Sequence, residues 1–442
     1  MYEPQSPHTL TVGVARADIT PPVGIQSAGF AARGPLTRYH DPLLATALVF
    51  DNGAQRAALI GCDLLDLDAD TVREIRQRVA ARTSIPENAL TVACTHTHYG
   101  PDAHRDLANP LVAAYHANLI HVLAGAVEAA AADLRPAHLG VGWGQSDIGV
   151  NRREKLPDGH IILGQNPAGP IDRAVGVLRI DATDGTPIAC VVNFQTHPVS
   201  QTWQVDHISA DYPGAMRATV EKLIPAPSLF LQGASGNINA ARMEPSYEPA
   251  RSLGVRLGCE VVRVWETIQP RPTAELALVG QVVALPRTRY GSPEGAAAVV
   301  AETAQEIGTL KAEGAFEGLI RWAEKRLAVA REALASWTTG ELPAPVTAEL
   351  QAWQIGDLAL VTTPAEVFNE IGVQIKAASP FAHTFFLGYA NDSIGYIPVA
   401  EAYAEGGYEV VHASQVAPEA AGILVAACVG LLKDLHKTVR RP

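Results

Sequence analysis

The chain reads as a mixed α/β (α+β) protein, with β-hairpin-containing sheets flanked by helices and polar residues gathered at the C-terminal ends of strands. Three observations predict this. Three segments each join two β-rich runs across a tight Asn-Gly, Asp-Gly or Gly-Asp turn. A polar, chemistry-bearing residue follows the second run each time. Between these segments lie Ala- and Leu-rich stretches with helical spacing of apolar residues.

The first hairpin joins 47–50 to 57–62 across Asp51-Asn52-Gly53 and leads into Asp63. The second joins 177–180 to 188–194 and leads into His197, and the third joins 350–355 to 358–361 and leads into Glu366. Asp63 and Glu366 have a plainer role open to them, as caps of helices expected at 68–81 and 365–377. Recurrence of the position favours chemistry for Glu366, while Asp63 stays balanced between the two. Further helices are expected at 110–132 and 215–223, with a packed terminal helix at 421–432. Residues 292–340 read as a helical hairpin subdomain broken near Gly314 and Gly318, either a lid or scaffold. A joint is expected near Pro270-Arg271-Pro272. The polar residues of interest straddle it, so residues 1–442 read as a single catalytic domain.

Hydrophobic residues make up 48% and charged residues 18% of the 442, enough for a large core and against disorder. The net charge of -12, with no basic run before the C-terminal tail, excludes nucleic acid as an expected partner. Cys62, Cys94, Cys190, Cys259 and Cys428 lie in apolar segments without CxxC spacing, the pattern of buried, reduced thiols. The N-terminus shows neither a basic n-region nor an apolar h-region, which together with the thiols predicts a cytoplasmic protein. No apolar stretch is expected to reach membrane-spanning length, and nothing in the sequence sets an oligomeric state.

The segment Thr95-His96-Thr97-His98-Tyr99-Gly100-Pro101 follows the apolar run 90–94, and Thr196-His197-Pro198 follows another at 189–192. Neutral imidazoles are favoured zinc ligands, so histidines at two strand exits predict a catalytic metal site there. On extended backbone His96 and His98 would point the same way. One would ligate and the other stand beside the metal as proton shuttle or oxyanion donor. His104, His116, His121 and His138 are isolated and need no such role. Asp211, in the stretch 206–214, would either orient a ligand imidazole or cap the next helix. The Gly-rich segment 232–239 follows a strand and suits close backbone approach to a substrate; it lacks the Gly-Lys-Ser/Thr ending of a nucleotide loop.

Taken in order, these pieces resemble the neutral, non-lysosomal ceramidase family over nearly the whole chain. The matching elements are Ala17-Asp18-Ile19-Thr20-Pro21-Pro22, the 95–101 segment, Asn151-Arg152, Asn193 with Thr196-His197-Pro198, and 208–214. Gly236-Asn237, Pro364 with Glu366, 391–396 and Glu405-Gly406-Gly407-Tyr408-Glu409 complete the set. The resemblance implies one zinc per chain held by His96, His197, Glu366 and Tyr396. It further implies His98, Arg152 and Tyr408 as hydrogen-bond donors around a scissile carbonyl. The expected activity is hydrolysis of an amide in a small-molecule or lipid-like N-acyl amine by metal-activated water. Two departures weigh against ceramide as the specific substrate. Asn239 stands where the family carries a serine proposed to act in catalysis, and no extra C-terminal β-sandwich (Ig-like) domain follows the terminal helix. Two other readings stay open: a binuclear amidohydrolase- or esterase-type enzyme, and a metal-stabilised binding protein without catalysis.

Overall fold

One pattern is laid down three times in the computed structural model, which describes residues 9–104 and 109–439. A first strand leads into an antiparallel hairpin, a helix crosses over, and a fourth strand returns parallel to the third. The first unit comprises Thr11–Asp18, Leu44–Asp51, Arg56–Cys62, the helix Ala69–Arg82 and Leu90–Cys94. The second comprises Arg135–Gln145, Ala174–Ala182, Pro187–Phe194, the helix Asp211–Leu223 and Ser228–Gln232. The third comprises Leu276–Leu285, Val346–Ile355, Leu358–Thr362, the helix Asn369–Ala377 and His383–Leu387. A long helix closes each unit (Pro110–Ala132, Glu248–Trp265 and Ala420–Val439) and packs on that unit's own strands and shorter helix.

The three sequence-predicted hairpins are therefore the middle pair of strands in each unit. Tight turns force antiparallel pairing, whereas a helical crossover returns the chain in parallel. The returning strands are covered on both faces, so Leu90–Cys94 and Ser228–Gln232 are buried at every residue. The first two sheets fuse edge to edge where Thr11 and Val12 meet Pro136 and Arg135. The third is a separate four-stranded sheet.

Each unit departs from the pattern between its first and second strands. In the first unit residues 19–43 form a long connection holding only the short strand Arg38–Tyr39, which pairs in parallel with His207–Ile208, and in the second 146–173 contain the strands Gly149–Lys155 and Ile161–Asn166. In the third, this place holds the predicted helical hairpin, observed as Pro293–Ala312 and Glu317–Thr339. The expected joint near 270–272 falls between the second and third units.

Buried polar contacts tie the units together. Between the first and second, Asp63 accepts from Nη2 of Arg217 at 2.6 Å and from the Leu44 amide at 2.9 Å. Between the second and third, Asn193 Nδ2 donates to the Phe386 carbonyl at 3.0 Å while also bonding Leu231 within its own unit. Between the first and third, Trp353 Nε1 donates to Thr91 Oγ1 at 3.1 Å, and Asn391 accepts from the Val92 amide at 2.9 Å.

Several expectations change. The helix expected at 365–377 starts only at Asn369, and Glu366 instead pairs in parallel with Tyr396 in a two-residue ladder. The helix Glu248–Trp265 went unpredicted, although its buried residues recur at helical spacing. Four cysteines are buried, but Cys259 is exposed on that helix. Pro110–Ala132 is, by length and composition, apolar enough to cross a membrane, contrary to expectation. Its apolarity is accounted for by packing on Thr11–Asp18, Leu44–Asp51 and the helix Ala69–Arg82.

Asp63 thus serves as an interunit anchor, fully buried against Arg217. Removing one partner of a buried pair strands the other charge, at a cost of about 3–5 kcal/mol. Asp63→Ala should lower the unfolding free energy by that amount in denaturant titrations. A loss below about 1 kcal/mol would contradict the anchoring role.

Candidate metal centre

His96, His98, His197, Glu366 and Tyr396 come from all three units and meet beyond the ends of the parallel strands. His96 follows the fourth strand of the first unit and takes φ 67°, so the same-side argument for an extended His-x-His does not hold. The fold brings the two rings together nevertheless, centroids 5.0 Å apart and nearly perpendicular. His197 follows the third strand of the second unit, with its ring 4.8 Å from His96. Ligand atoms of His96, His98 and His197 all lie within 4.8 Å of one another. Glu366 arrives from the third unit, and its ladder partner Tyr396 is set beside it by the register.

Backbone carbonyls fix the tautomers of two imidazoles. Nδ1 of His96 donates to the Leu65 carbonyl at 2.9 Å, and Nδ1 of His197 to the Ser235 carbonyl at 2.6 Å. A neutral ring protonated at Nδ1 presents Nε2 as an acceptor. Both Nε2 atoms lie 3.1 Å from the same oxygen, Oε2 of Glu366. The Tyr396 hydroxyl oxygen lies 3.3 Å from Nε2 of His197. Three acceptors, two of them on buried imidazoles, thus face one another, which is unfavourable unless a cation sits among them. Donors held at about 2.0–2.1 Å around tetrahedral zinc stand about 3.3 Å apart, so the observed spacings fit such an ion.

The electrostatics agree. Burial, then Arg152, pushes His197 down to about 4, keeping it neutral. Burial pushes the Glu366 carboxyl up, but His96 and His197 outweigh it and hold the group well below the usual carboxylate range. His98 is held well below an ordinary imidazole by burial and by His96 and His197. Its two ring nitrogens are buried and meet no hydrogen-bond partner among the described residues. Gly29 (φ 87°) lets the 28–33 loop lie on this ring, since a Cβ there would stand 2.6 Å from it. Phe30 packs its ring edge-on at 5.0 Å.

The other predicted residues fall in two groups. Arg152 is fully engaged around Tyr396: Nε donates to Glu409 at 2.8 Å, Nη1 to Asn239 at 3.1 Å and Nη2 to the Tyr396 oxygen at 3.0 Å. Tyr408 stands edge-on to Tyr396 at 5.9 Å, and burial, then Glu366, raises its hydroxyl to about 12. Its other side stacks on Trp322 of the helical hairpin at 6.1 Å, so the hairpin forms one wall of the site. Asn239 borders the site through Arg152. Asp63 and Asp211, by contrast, touch no imidazole. Asp211 accepts from the Ser200 amide at 3.1 Å and hydroxyl at 2.6 Å, bracing the loop after His197, while the Ser235 carbonyl does the orienting.

Sequence reasoning missed three contributors: the Leu65 and Ser235 carbonyls, which carry no side-chain signal, and Tyr389. The close passage of the 233–239 loop over Glu366 depends on Gly236, where a Cβ would stand 2.7 Å from the Glu366 carbonyl oxygen.

Residues 10–235 match the profile of the family described as neutral/alkaline non-lysosomal ceramidase, N-terminal. The chain belongs to this ceramidase family. It is 25% identical to the neutral ceramidase of Pseudomonas aeruginosa over 460 aligned positions, covering 90% of the chain and 68% of that protein. The crystal structure of the Pseudomonas aeruginosa neutral ceramidase shares the fold, with TM-score 0.75 at 20% identity, over 98% of this chain and 75% of that one. A ceramidase complexed with C2 superposes equally well, with TM-score 0.75 over 97% of this chain. The mixed α/β architecture expected from the sequence is thus that of the ceramidases.

Beside the centre, His104 lies 3.2 Å from Asp102 and 3.5 Å from Asp66. The Asp102 hydrogen bond outweighs burial and, with Asp66, raises this imidazole to about 9. A pKa raised on folding contributes stability that is full below about pH 6.5 and lost as pH climbs through about 9. The melting temperature of His104→Gln should therefore trail the wild type most near pH 6, with the gap closed by about pH 10. A gap that widens with pH would refute this.

Proposed function

We propose that this ceramidase-family chain is a zinc-dependent hydrolase cleaving the amide bond of an N-acyl amine. Residues 1–442 are read as one catalytic domain, because the ligand set needs all three units. The observation that carries the reading is the convergence of the two Nε2 atoms on Oε2 of Glu366, with the Tyr396 oxygen alongside. His96, His197, Glu366 and Tyr396 would hold one zinc, and a bound zinc supplies acidified water and a Lewis acid for the carbonyl.

The chain's own groups do the rest. His98, free at both nitrogens and neutral, accepts a proton as water is consumed and returns it to the leaving amine. Tyr408, raised to about 12, stays protonated at neutral pH and donates to the developing oxyanion. One such preorganised donor contributes on the order of 3 kcal/mol. Arg152 keeps the Tyr396 oxygen directed at the ligand cluster. Asn239 offers an amide where the family resemblance places a serine, which supports an N-acyl amine other than ceramide as preferred substrate. No protein nucleophile is needed, since water is the attacking group.

The test combines metal analysis with a panel of N-acyl amines, ceramide included. One zinc per chain is expected, with turnover abolished by chelation and restored by zinc. His98→Ala should retain zinc and lose about 10²–10⁴-fold in kcat. Turnover undiminished after zinc is stripped, or two zincs per chain, would overturn the proposal.

A further inference from the structure

Tyr389 contacts all three loops that deliver the metal ligands. It follows the fourth strand of the third unit and is buried at φ 55°, a left-handed conformation unusual for a tyrosine. Its carbonyl accepts from the Cys94 amide at 3.0 Å, two residues before His96. Its own amide donates to the carbonyl of Ala365 at 3.4 Å, one residue before Glu366. The phenol ring lies on the His96 imidazole, centroids 4.0 Å apart at 33°, and stands edge-on to His197 at 6.2 Å. The hydroxyl pairs with Ser235 Oγ at 2.8 Å, and the carbonyl of that serine orients His197. Gln232 Nε2 donates to the same Oγ at 2.6 Å, so the serine is held from a second side.

These contacts have a common effect. Ring stacking fixes the tilt of His96, the serine link fixes the carbonyl that sets the His197 tautomer, and the backbone bonds fix where Glu366 leaves its strand. A strained backbone persists where surrounding contacts over-determine it, and here those contacts are the ligand loops. We propose that Tyr389 is the positioning residue of the metal centre, holding His96 through its ring and His197 through its hydroxyl and Ser235 so that both Nε2 atoms converge on Glu366. Tyr389 itself ligates nothing and touches no substrate. The inference rests on the metal-centre reading above.

The two side-chain functions are separable. Tyr389→Phe keeps the ring on His96 and cuts the link to Ser235, whereas Tyr389→Leu removes both. Supporting groups around metal ligands typically change affinity by about 10–100-fold when removed. Zinc affinity would be measured by chelator competition on purified full-length chains. The visible spectrum of the cobalt-substituted proteins would report ligand geometry, and near-ultraviolet circular dichroism of the metal-free proteins would report folding. Tyr389→Phe is expected to fold as the wild type, bind zinc about 10-fold more weakly and shift the cobalt bands. Tyr389→Leu is expected to lose more. A folded Tyr389→Phe with wild-type zinc affinity and an unchanged cobalt spectrum would overturn the positioning role while leaving the hydrolase proposal intact. A wild-type chain that takes up no zinc would overturn the metal reading and this inference with it.

Discussion

Two imidazole nitrogens and a carboxylate oxygen, all acceptors, are held about a hydrogen bond's length apart inside the protein. Both imidazoles are buried, and the desolvation that keeps His197 neutral opposes proton sharing within the cluster. Such a cluster costs free energy in the absence of a cation. Much of the surrounding structure serves to stop the groups from turning away. The Leu65 and Ser235 carbonyls lock the rings, the ladder locks Glu366 beside Tyr396, and Arg152 locks the tyrosine oxygen.

No single sheet contains this arrangement. The first unit brings His96 and His98, the second His197, and the third Glu366 and Tyr396. Their relative placement depends on the interunit contacts of Asp63 with Arg217, Asn193 with Phe386, and Asn391 with Val92. These are buried, directional bonds, and a slip of one unit against another would leave each of them unsatisfied.

The hairpins, most helices and the strand-exit histidines were legible in the sequence because turn chemistry and apolar runs are local signals. His197 and Glu366 followed from their shared position after a hairpin. Tyr396 did not; it was named through the family resemblance, and its place is set by pairing with Glu366 thirty residues away in sequence. The first strand of each unit was also invisible, since its identity depends on a partner found only after the chain has folded. The His-x-His argument assumed extended backbone, whereas His96 leaves the extended region and the two rings meet all the same. Asp63 and Asp211 looked chemical because carboxylates at strand exits and helix starts do, yet Arg217 and Ser200 claim them.

The insertions between first and second strands have a consequence for how such a protein diversifies. The metal-binding side is made by the repeated framework, whereas Tyr408 is backed by Trp322 of the helical hairpin and His98 is covered by the 28–33 loop, both within insertions. The candidate ligands and the walls around them are therefore written in separate stretches of chain, with Arg152 of the second unit's insertion reaching back to brace Tyr396. The inserted segments can thus change in length or sequence, and reshape the walls of the site, without disturbing the strands that carry the histidines and Glu366.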